Sequence, residues 1–198
     1  MRHHRNSGTP EPLPEGRAEL CLAHEGSVAR HSLTRRAVTS LLVAAAAPAS
    51  AAPALPQPTG APILTVSGRI GVFNEGSTAR FDRQMLEAIG MVSFVTATPW
   101  YDGPVTFEGP LMTKLMQMVD ARGDTVTAVA LNDYVTEIPI SDFARYGVIL
   151  ALKRNGSYMP VRDKGPLFIV YPYDSDPVLK HRRYYSRSAW QVTRINVG

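Results

Sequence analysis

The sequence has 198 residues, of which 44% are hydrophobic and 19% are charged, and its formal net charge is +4 at pH 7. This composition excludes a disordered chain and predicts one globular domain. Residues 1–51 contain six arginines and four glutamates, so the rest of the chain has a net charge of only +2. Such a small excess argues against nucleic acid as the partner.

Residues 1–51 are predicted to be an N-terminal extension that ends in an export signal. Arg35 and Arg36 directly precede an apolar, alanine-rich run that is too short to span a bilayer. The run ends at Ala49-Ser50-Ala51, which matches an A-x-A cleavage site. Paired arginines before such a run favour a twin-arginine signal, and an ordinary secretory signal is the alternative. The mature protein is therefore expected in the periplasm, without a membrane-spanning segment.

Cleavage at this site would remove most of the residues that commonly carry chemistry. The only cysteine, Cys21, precedes the signal, and His181 would be the only histidine left. The mature chain would then have no disulfide, no thiolate nucleophile and no zinc site built from cysteines or several histidines. His181 lies in a basic run, and the chain has no nucleophile-elbow motif that would pair with it.

Residues 52–62 are rich in proline and are predicted to form an exposed tether, and residues 63–198 are predicted to form the domain. Alternating and β-branched runs predict strands over residues 63–68, 92–97, 125–131, 134–138, 148–152, 166–171 and 190–197. Asp82 is predicted to cap one short helix and Pro110 to begin another, with a further helical turn over residues 142–146. These elements indicate an α+β domain with mixed or antiparallel pairing and two or three short helices.

Several short motifs occur in a characteristic order along this domain. They include Leu64–Gly68, Trp100, Phe107–Leu111, Asn132–Tyr134, Ile138–Ile140, Arg154–Gly156, Met159–Pro160, Gly165–Leu167, Val170–Pro172 and Trp190–Val197. In this order they resemble the sulfite-oxidase-type molybdopterin-binding domain, over nearly all of residues 63–197. The best stretch, residues 150–172, resembles that family's N-G-x-x-L-P…G-x-P-L-R-L-V-V-P pattern. The resemblance implies the family's α+β fold and its pocket for molybdopterin.

Two positions depart from what the resemblance implies. Family enzymes hold molybdenum through a pterin dithiolene and one protein cysteine after the second strand, because a soft thiolate suits the high-valent metal. That position falls within two residues of Thr96, and neither Thr96 nor Thr98 is a thiol. Phe168 stands where the family often has an arginine that binds the cofactor's phosphate. The sequence therefore predicts no metal ligand and no catalytic residue.

The stretch around these threonines is dense in glycine, proline and aromatic residues, as loops that present functional side chains often are. The residues predicted to line a pocket there are Thr96, Thr98, Trp100, Tyr101 and Asp102. A plain loop around a buried tryptophan is the alternative interpretation. Asn132, Asp133 and Tyr134 are predicted to face the same mouth, and their alternative is an Asx-type turn.

A second candidate site is the most concentrated run of positive charge in the domain. It consists of Lys180, His181, Arg182 and Arg183. These side chains are predicted to bind an anion, either a small ligand or the acidic patch of a partner protein. The alternative is a solvated basic turn whose aliphatic stems cover neighbouring aromatic rings.

Two functions from different classes follow from these observations. The favoured interpretation is an exported, non-enzymatic binding or accessory module that keeps the fold without a cofactor. Its partner would be a small anionic ligand or a periplasmic or membrane protein. The alternative is a molybdopterin-dependent oxidoreductase with an atypical set of metal ligands. The missing thiolate distinguishes the two, whereas the export route does not.

Overall fold

The computed structural model describes residues 54–198, so the predicted export signal lies outside the described residues. Within this part of the chain, eleven strands and four α-helices form a mixed α+β structure, as predicted. No helix within residues 54–198 is long and apolar enough to cross a membrane.

The strands are β1 Leu64–Gly68, β2 Ala79–Phe81, β3 Met91–Thr98, β4 Tyr101–Pro110, β5 Thr125–Ala130, β6 Val135–Pro139, β7 Ile149–Ala151, β8 Lys153–Arg154, β9 Ser157–Tyr158, β10 Phe168–Val170 and β11 Val192–Val197. The helices are α1 Arg83–Ala88, α2 Met112–Met118, α3 Ile140–Tyr146 and α4 Arg182–Arg187. The seven predicted strands all exist. The prediction of two or three helices was too low, because α4 lies inside the basic run and has too few apolar residues to show a helical period.

Three sheets make up the domain. The largest has the order β2-β1-β11-β5-β6, a second has the order β3-β4-β8-β9, and β10 pairs with β7. Only β1 and β11 run parallel among these named strands, and every other pair is antiparallel. The predicted mixed pairing is therefore confirmed, and β11 occupies the centre of the five-stranded sheet.

The core lies between the sheets and the helices that pack on them. Along β5, residues alternate between partly exposed and buried, and Val126, Ala128 and Ala130 face inward. Burial of an apolar side chain of medium size stabilises the fold by about 1.5–3 kcal/mol. Strand β4 passes so close to β7 that a β-carbon added at Gly109 would lie 2.0 Å from the carbonyl oxygen of Leu150. Only glycine fits at this crossing.

The glycine- and proline-rich stretch after β3 is a strand rather than the predicted loop. Strands β3 and β4 form a hairpin through a turn at Pro99 and Trp100. Pro104 and Pro110 lie opposite Ala97 and Met91 in this pair. At these alternate positions of β4 the backbone nitrogen points away from β3, so proline removes no ladder bond. Pro110 thus ends β4 and does not begin α2.

The predicted cap of the first helix is confirmed, and it has a second role. A carboxylate oxygen of Asp82 accepts a hydrogen bond from the backbone N–H of Met85, at 2.9 Å. Its other oxygen accepts from the N–H groups of Thr59 and Gly60, each at 2.8 Å. Residues 54–62 therefore lie against the domain, held at Thr59 and Gly60, rather than extending freely as a tether.

Replacing Asp82 by alanine is expected to lower the free energy of unfolding by about 2 kcal/mol, because a helix cap and the anchor of residues 59–60 are lost together. Backbone hydrogen bonds, from Met85 first, hold the pKa of Asp82 below its usual value. The stabilisation is therefore present above the unfolded pKa and is lost as the pH falls below about 4. Urea unfolding at pH 7 and pH 3 tests this, with Asp82→Asn as the control that keeps an acceptor. Equal stability of wild type and Asp82→Ala at pH 7 would contradict it.

Candidate functional site

Thr96 lies at the end of β3 and is fully buried. Its hydroxyl oxygen accepts a hydrogen bond from the backbone N–H of Asp174, at 3.1 Å. In return, a carboxylate oxygen of Asp174 accepts from the N–H of Ala97, at 2.6 Å. Lys180 pairs with the other carboxylate oxygen at 2.7 Å. We call these four residues the Asp174 latch.

The contacts of the Asp174 latch explain why its carboxylate is ionised and why its hydroxyl is not free. The Lys180 ammonium, followed by the Ala97 N–H, holds the pKa of Asp174 below its usual value. The carboxylate therefore stays ionised at neutral pH and keeps both partners. Because the Thr96 hydroxyl is already bonded and buried, it does not present a free oxygen to a ligand.

Trp100 is the centre of a group of rings beside the latch. Its ring centroid lies 5.4 Å from those of Phe168 and Trp190, and 6.1 Å from those of Tyr173 and Tyr185. All four contacts are edge-to-face, a geometry in which each aromatic pair adds about 0.5–1.5 kcal/mol beyond its area. We call these five residues the aromatic cluster. It joins the β3–β4 turn to β10, to α4 and to Trp190, two residues before β11.

Cationic side chains lie over the rings at the edge of this cluster. The Arg154 guanidinium carbon is 4.3 Å from the centroid of Tyr101, and Arg154 also pairs with Asp163 at 2.6 Å. The Lys164 ammonium lies 4.8 Å from the Tyr101 centroid and 5.7 Å from that of Trp190. Among the described residues, Arg154 has a carboxylate partner and Lys164 has none.

Burial, hydrogen bonds and neighbouring charges determine the ionisation of Tyr101 and Asp163 at the edge of the cluster. The Tyr101 hydroxyl donates to Asp163 at 3.3 Å, and burial raises the pKa of Tyr101. Hydrogen bonding from Arg154 lowers the pKa of Asp163. At neutral pH this leaves a neutral Tyr101, a matched Arg154–Asp163 pair and one unmatched positive charge on Lys164.

Tyr134 lies against the aromatic cluster. Its ring stacks on that of Trp190 at 6.4 Å with an interplanar angle of 6°, and its hydroxyl donates to the carbonyl of Ser186 at 2.7 Å. The neighbouring Asn132 accepts from the N–H of Tyr134 at 3.2 Å, which is the Asx-type turn that was the alternative interpretation. Asn132 and Asp133 are exposed turn residues.

The remaining predicted pocket residues, Thr98 and Asp102, do not belong to the aromatic cluster. The Thr98 hydroxyl accepts from the N–H of Trp100 at 3.3 Å and so helps to orient that residue. Asp102 is exposed at the start of β4. Lys164 and Trp190 were not predicted as site residues. The only local sign of Lys164 is the turn Lys164-Gly165-Pro166, and its two ring contacts come from segments far apart in the chain.

The predicted anion-binding residues divide into two pairs. Lys180 belongs to the Asp174 latch, and the His181 ring accepts a hydrogen bond from the N–H of Arg183 at 3.2 Å, which caps α4. Arg182 and Arg183 are exposed. A surface cavity of about 310 Å³ is lined by Pro177, Val178, Lys180, His181, Arg183 and Tyr184. Positive charge is therefore available at this cavity, although half of the predicted set already has internal partners.

A further surface cavity, of about 510 Å³, lies beside Asp82 and away from every predicted site residue. Its wall includes Arg83, Glu87 and Tyr158. The Glu87 carboxylate there is already bonded, because it accepts from the Tyr158 hydroxyl at 2.6 Å and pairs with Lys153 at 3.4 Å. The aromatic cluster contains the predicted residue Trp100 and contacts the predicted residue Tyr134, so it is the stronger candidate site.

The two positions that the resemblance associates with a molybdenum cofactor have other roles in this structure. The hydroxyl of Thr96 is bonded within the latch, and the buried ring of Phe168 has neither charge nor donors for a phosphate. Residues 54–198 also contain no group of three or more histidine, cysteine, aspartate or glutamate side chains placed to hold a metal ion.

Comparison with known proteins does not assign the chain to a family. No protein-family model matches the sequence, and no curated protein shows significant similarity to it. The function is therefore inferred from the chemistry of the site itself.

Proposed function

We propose that this protein is an exported, periplasmic binding module that has a sulfite-oxidase-like molybdopterin-binding fold without molybdenum catalysis. The motif order along residues 63–197 supports the fold, together with the α+β architecture. The observation that carries the loss of catalysis is the Asp174 latch. It buries a hydroxyl at the position where the resemblance implies a thiolate, and its own partners use that hydroxyl.

The binding surface in this proposal is the exposed side of the aromatic cluster with Tyr101 and Lys164. Aromatic faces at the surface bind flat or apolar groups, and a nearby ammonium adds attraction for an anion. The Lys164 ammonium lies over the Tyr101 and Trp190 rings, so an aromatic anion that binds against this cluster would pair with it. The ligand class is therefore a flat organic anion.

The first experiment is elemental analysis of the mature protein purified from the periplasm of its native host, with a fluorescence assay for oxidised pterin. We expect neither molybdenum nor pterin, because residues 54–198 contain no cysteine to supply a thiolate ligand. Near one molybdenum per chain would contradict the proposal and support the alternative, an oxidoreductase with an atypical ligand set.

A second experiment tests the binding surface through its own fluorescence. Both tryptophans of the chain, Trp100 and Trp190, belong to the aromatic cluster, so their emission reports on this site. We expect 8-anilinonaphthalene-1-sulfonate, an anion with a flat naphthalene ring, to accept energy from them, and Lys164→Gln to weaken its binding by about threefold to fivefold. Lys114→Gln, an exposed lysine on α2, is the matched control. Equal affinities for the two variants would rule out Lys164 as the anion-binding group.

A further inference from the structure

Strand β3 is an edge strand of the four-stranded sheet, and β4 is its only neighbour among the described strands. It is eight residues long, with the sequence MVSFVTAT, and contains no charged residue and no proline. Val95 on this strand is 61% exposed, more than any other large hydrophobic side chain of the described domain.

The pairing of β4 shows which backbone groups of β3 face outward. The carbonyls of Thr106 and Glu108 accept hydrogen bonds from Asn155 and Leu152, on the side of β4 away from β3. The residues of β3 opposite them are Val95 and Ser93. In an antiparallel ladder, such pairs direct their N–H and C=O groups away from each other. The backbone groups of Ser93 and Val95 therefore point to the open edge.

Ala97 has the same orientation as Ser93 and Val95, and its contact confirms the direction. Its N–H points outward and donates a hydrogen bond to the Asp174 carboxylate, at 2.6 Å. No backbone hydrogen bond outside the β3–β4 pair reaches Ser93 or Val95 within residues 54–198. The edge is thus closed at Ala97 and open from Met91 to Val95.

The other edge strands of the two larger sheets have the features that prevent pairing. Strand β6 contains Glu137 and Pro139, and its Thr136 hydroxyl is bonded to the carbonyl of Ser186 at 2.8 Å. Strand β2 has three residues, including Arg80, and β9 has only two. Strand β3 is the longest of the four, and it contains neither a charged residue nor a proline.

We propose that β3 pairs antiparallel with β3 of a second copy of this chain, about a two-fold axis near Phe94. Ser93 of each copy then lies opposite Val95 of the other, so four outward backbone bonds form and the two four-stranded sheets join. Such an isologous contact is self-complementary by symmetry.

The two ends of the open edge differ in charge. The exposed Lys114 ammonium lies beside Gly90, next to the first residue of β3, and Asp174, which is already paired with Lys180, lies at the other end of the strand. Antiparallel pairing places the Lys114 end of one copy beside this neutral Asp174–Lys180 pair of the other, so the backbone ladder, and not charge, favours a second copy. Because the open edge is short, the dimer is expected to be concentration-dependent rather than permanent.

Sedimentation-velocity measurements on the exported protein over a range of concentrations test the proposal. We expect a reversible dimer, and we expect Val95→Lys to raise its dissociation constant by about tenfold or more, since the two introduced ammonium groups then lie diagonally across the strands, about 7–8 Å apart, and repel each other. Ser93→Pro, which removes an outward donor and no internal bond, should act in the same direction. Val135→Lys is the matched control, because Val135 is 55% exposed on the protected edge strand β6.

The sedimentation experiment has distinct supporting and contradicting outcomes. Dissociation by Val95→Lys and Ser93→Pro, with an intact dimer for Val135→Lys, would support pairing through β3. A monomer at every concentration, or a dimer that Val95→Lys and Ser93→Pro leave unchanged, would overturn it. This result does not depend on the proposed ligand surface, since none of these variants changes the aromatic cluster.

Discussion

Replacing Phe168 by arginine is expected to unfold the domain rather than to create a phosphate-binding site. Phe168 is fully buried, and its ring meets those of Trp100 at 5.4 Å, Phe107 at 5.7 Å and Trp190 at 6.1 Å. Losing a buried aromatic side chain costs about 3–5 kcal/mol. A guanidinium buried without a partner costs more again, which is comparable with the whole stability of a domain, about 5–15 kcal/mol.

Far-UV circular dichroism and urea unfolding measure this effect. Phe168→Leu is the control, because it keeps the site apolar and should lose less stability than the arginine variant. A Phe168→Arg protein that remained folded with the wild-type midpoint would show that the ring network tolerates charge, and would contradict the burial argument.

Replacing Asp142 by alanine is expected to lower the free energy of unfolding by about 3–5 kcal/mol, because it leaves two buried or half-buried groups without a partner. The Asp142 carboxylate accepts a hydrogen bond from the Tyr171 hydroxyl at 2.8 Å and pairs with Arg187 at 2.6 Å. The Asp142 side chain is only 11% exposed, and that of Arg187 is 21% exposed, so water screens the pair weakly. The contact joins α3 to Tyr171, the residue after β10, and to α4.

Asp142→Asn separates the two contributions in urea unfolding. The amide oxygen still accepts from Tyr171, so this variant should lose only the part that depends on the charge of Arg187. Burial, followed by the hydrogen bond to Asp142, raises the pKa of Tyr171. Its contribution to stability is therefore complete below the unfolded pKa of about 10 and is lost as the pH rises further. Equal stabilities of wild type and Asp142→Ala would show that the contact is not formed in solution.

Much of the fold could be predicted because its signals are local. Asp82 caps α1 through its own neighbour Met85, and Asn155-Gly156 forms the tight turn between β8 and β9. Both residues of this turn have positive φ, 49° at Asn155 and 78° at Gly156. Asparagine and glycine are the residues that adopt this conformation most readily, which explains their preference here. Each of these elements is specified within a few residues of sequence.

The features that were missed depend on contacts between distant segments. Strand β4 contains Pro104 and Pro110, which individually argue against a strand and are tolerated only because of their orientation in the ladder. The Asp174 latch joins residues 78 positions apart, and nothing near Thr96 in the sequence indicates it. Lys164 likewise becomes a candidate site residue only through its contacts with the rings of Tyr101, on β4, and Trp190, in the segment before β11. Such contacts follow from the completed fold.

The position of β11 has a consequence for the time at which the protein can fold. Strand β11 lies between β1 and β5, so the five-stranded sheet has no continuous ladder until residue 197 has been synthesised. The parallel pair joins Thr65 to Arg194, and closing so long a loop precedes any gain from the contact. A growing chain on the ribosome therefore holds β1 and β5 without their shared partner. Folding of this sheet is therefore expected to wait for β11 and to be slow for a domain of this size.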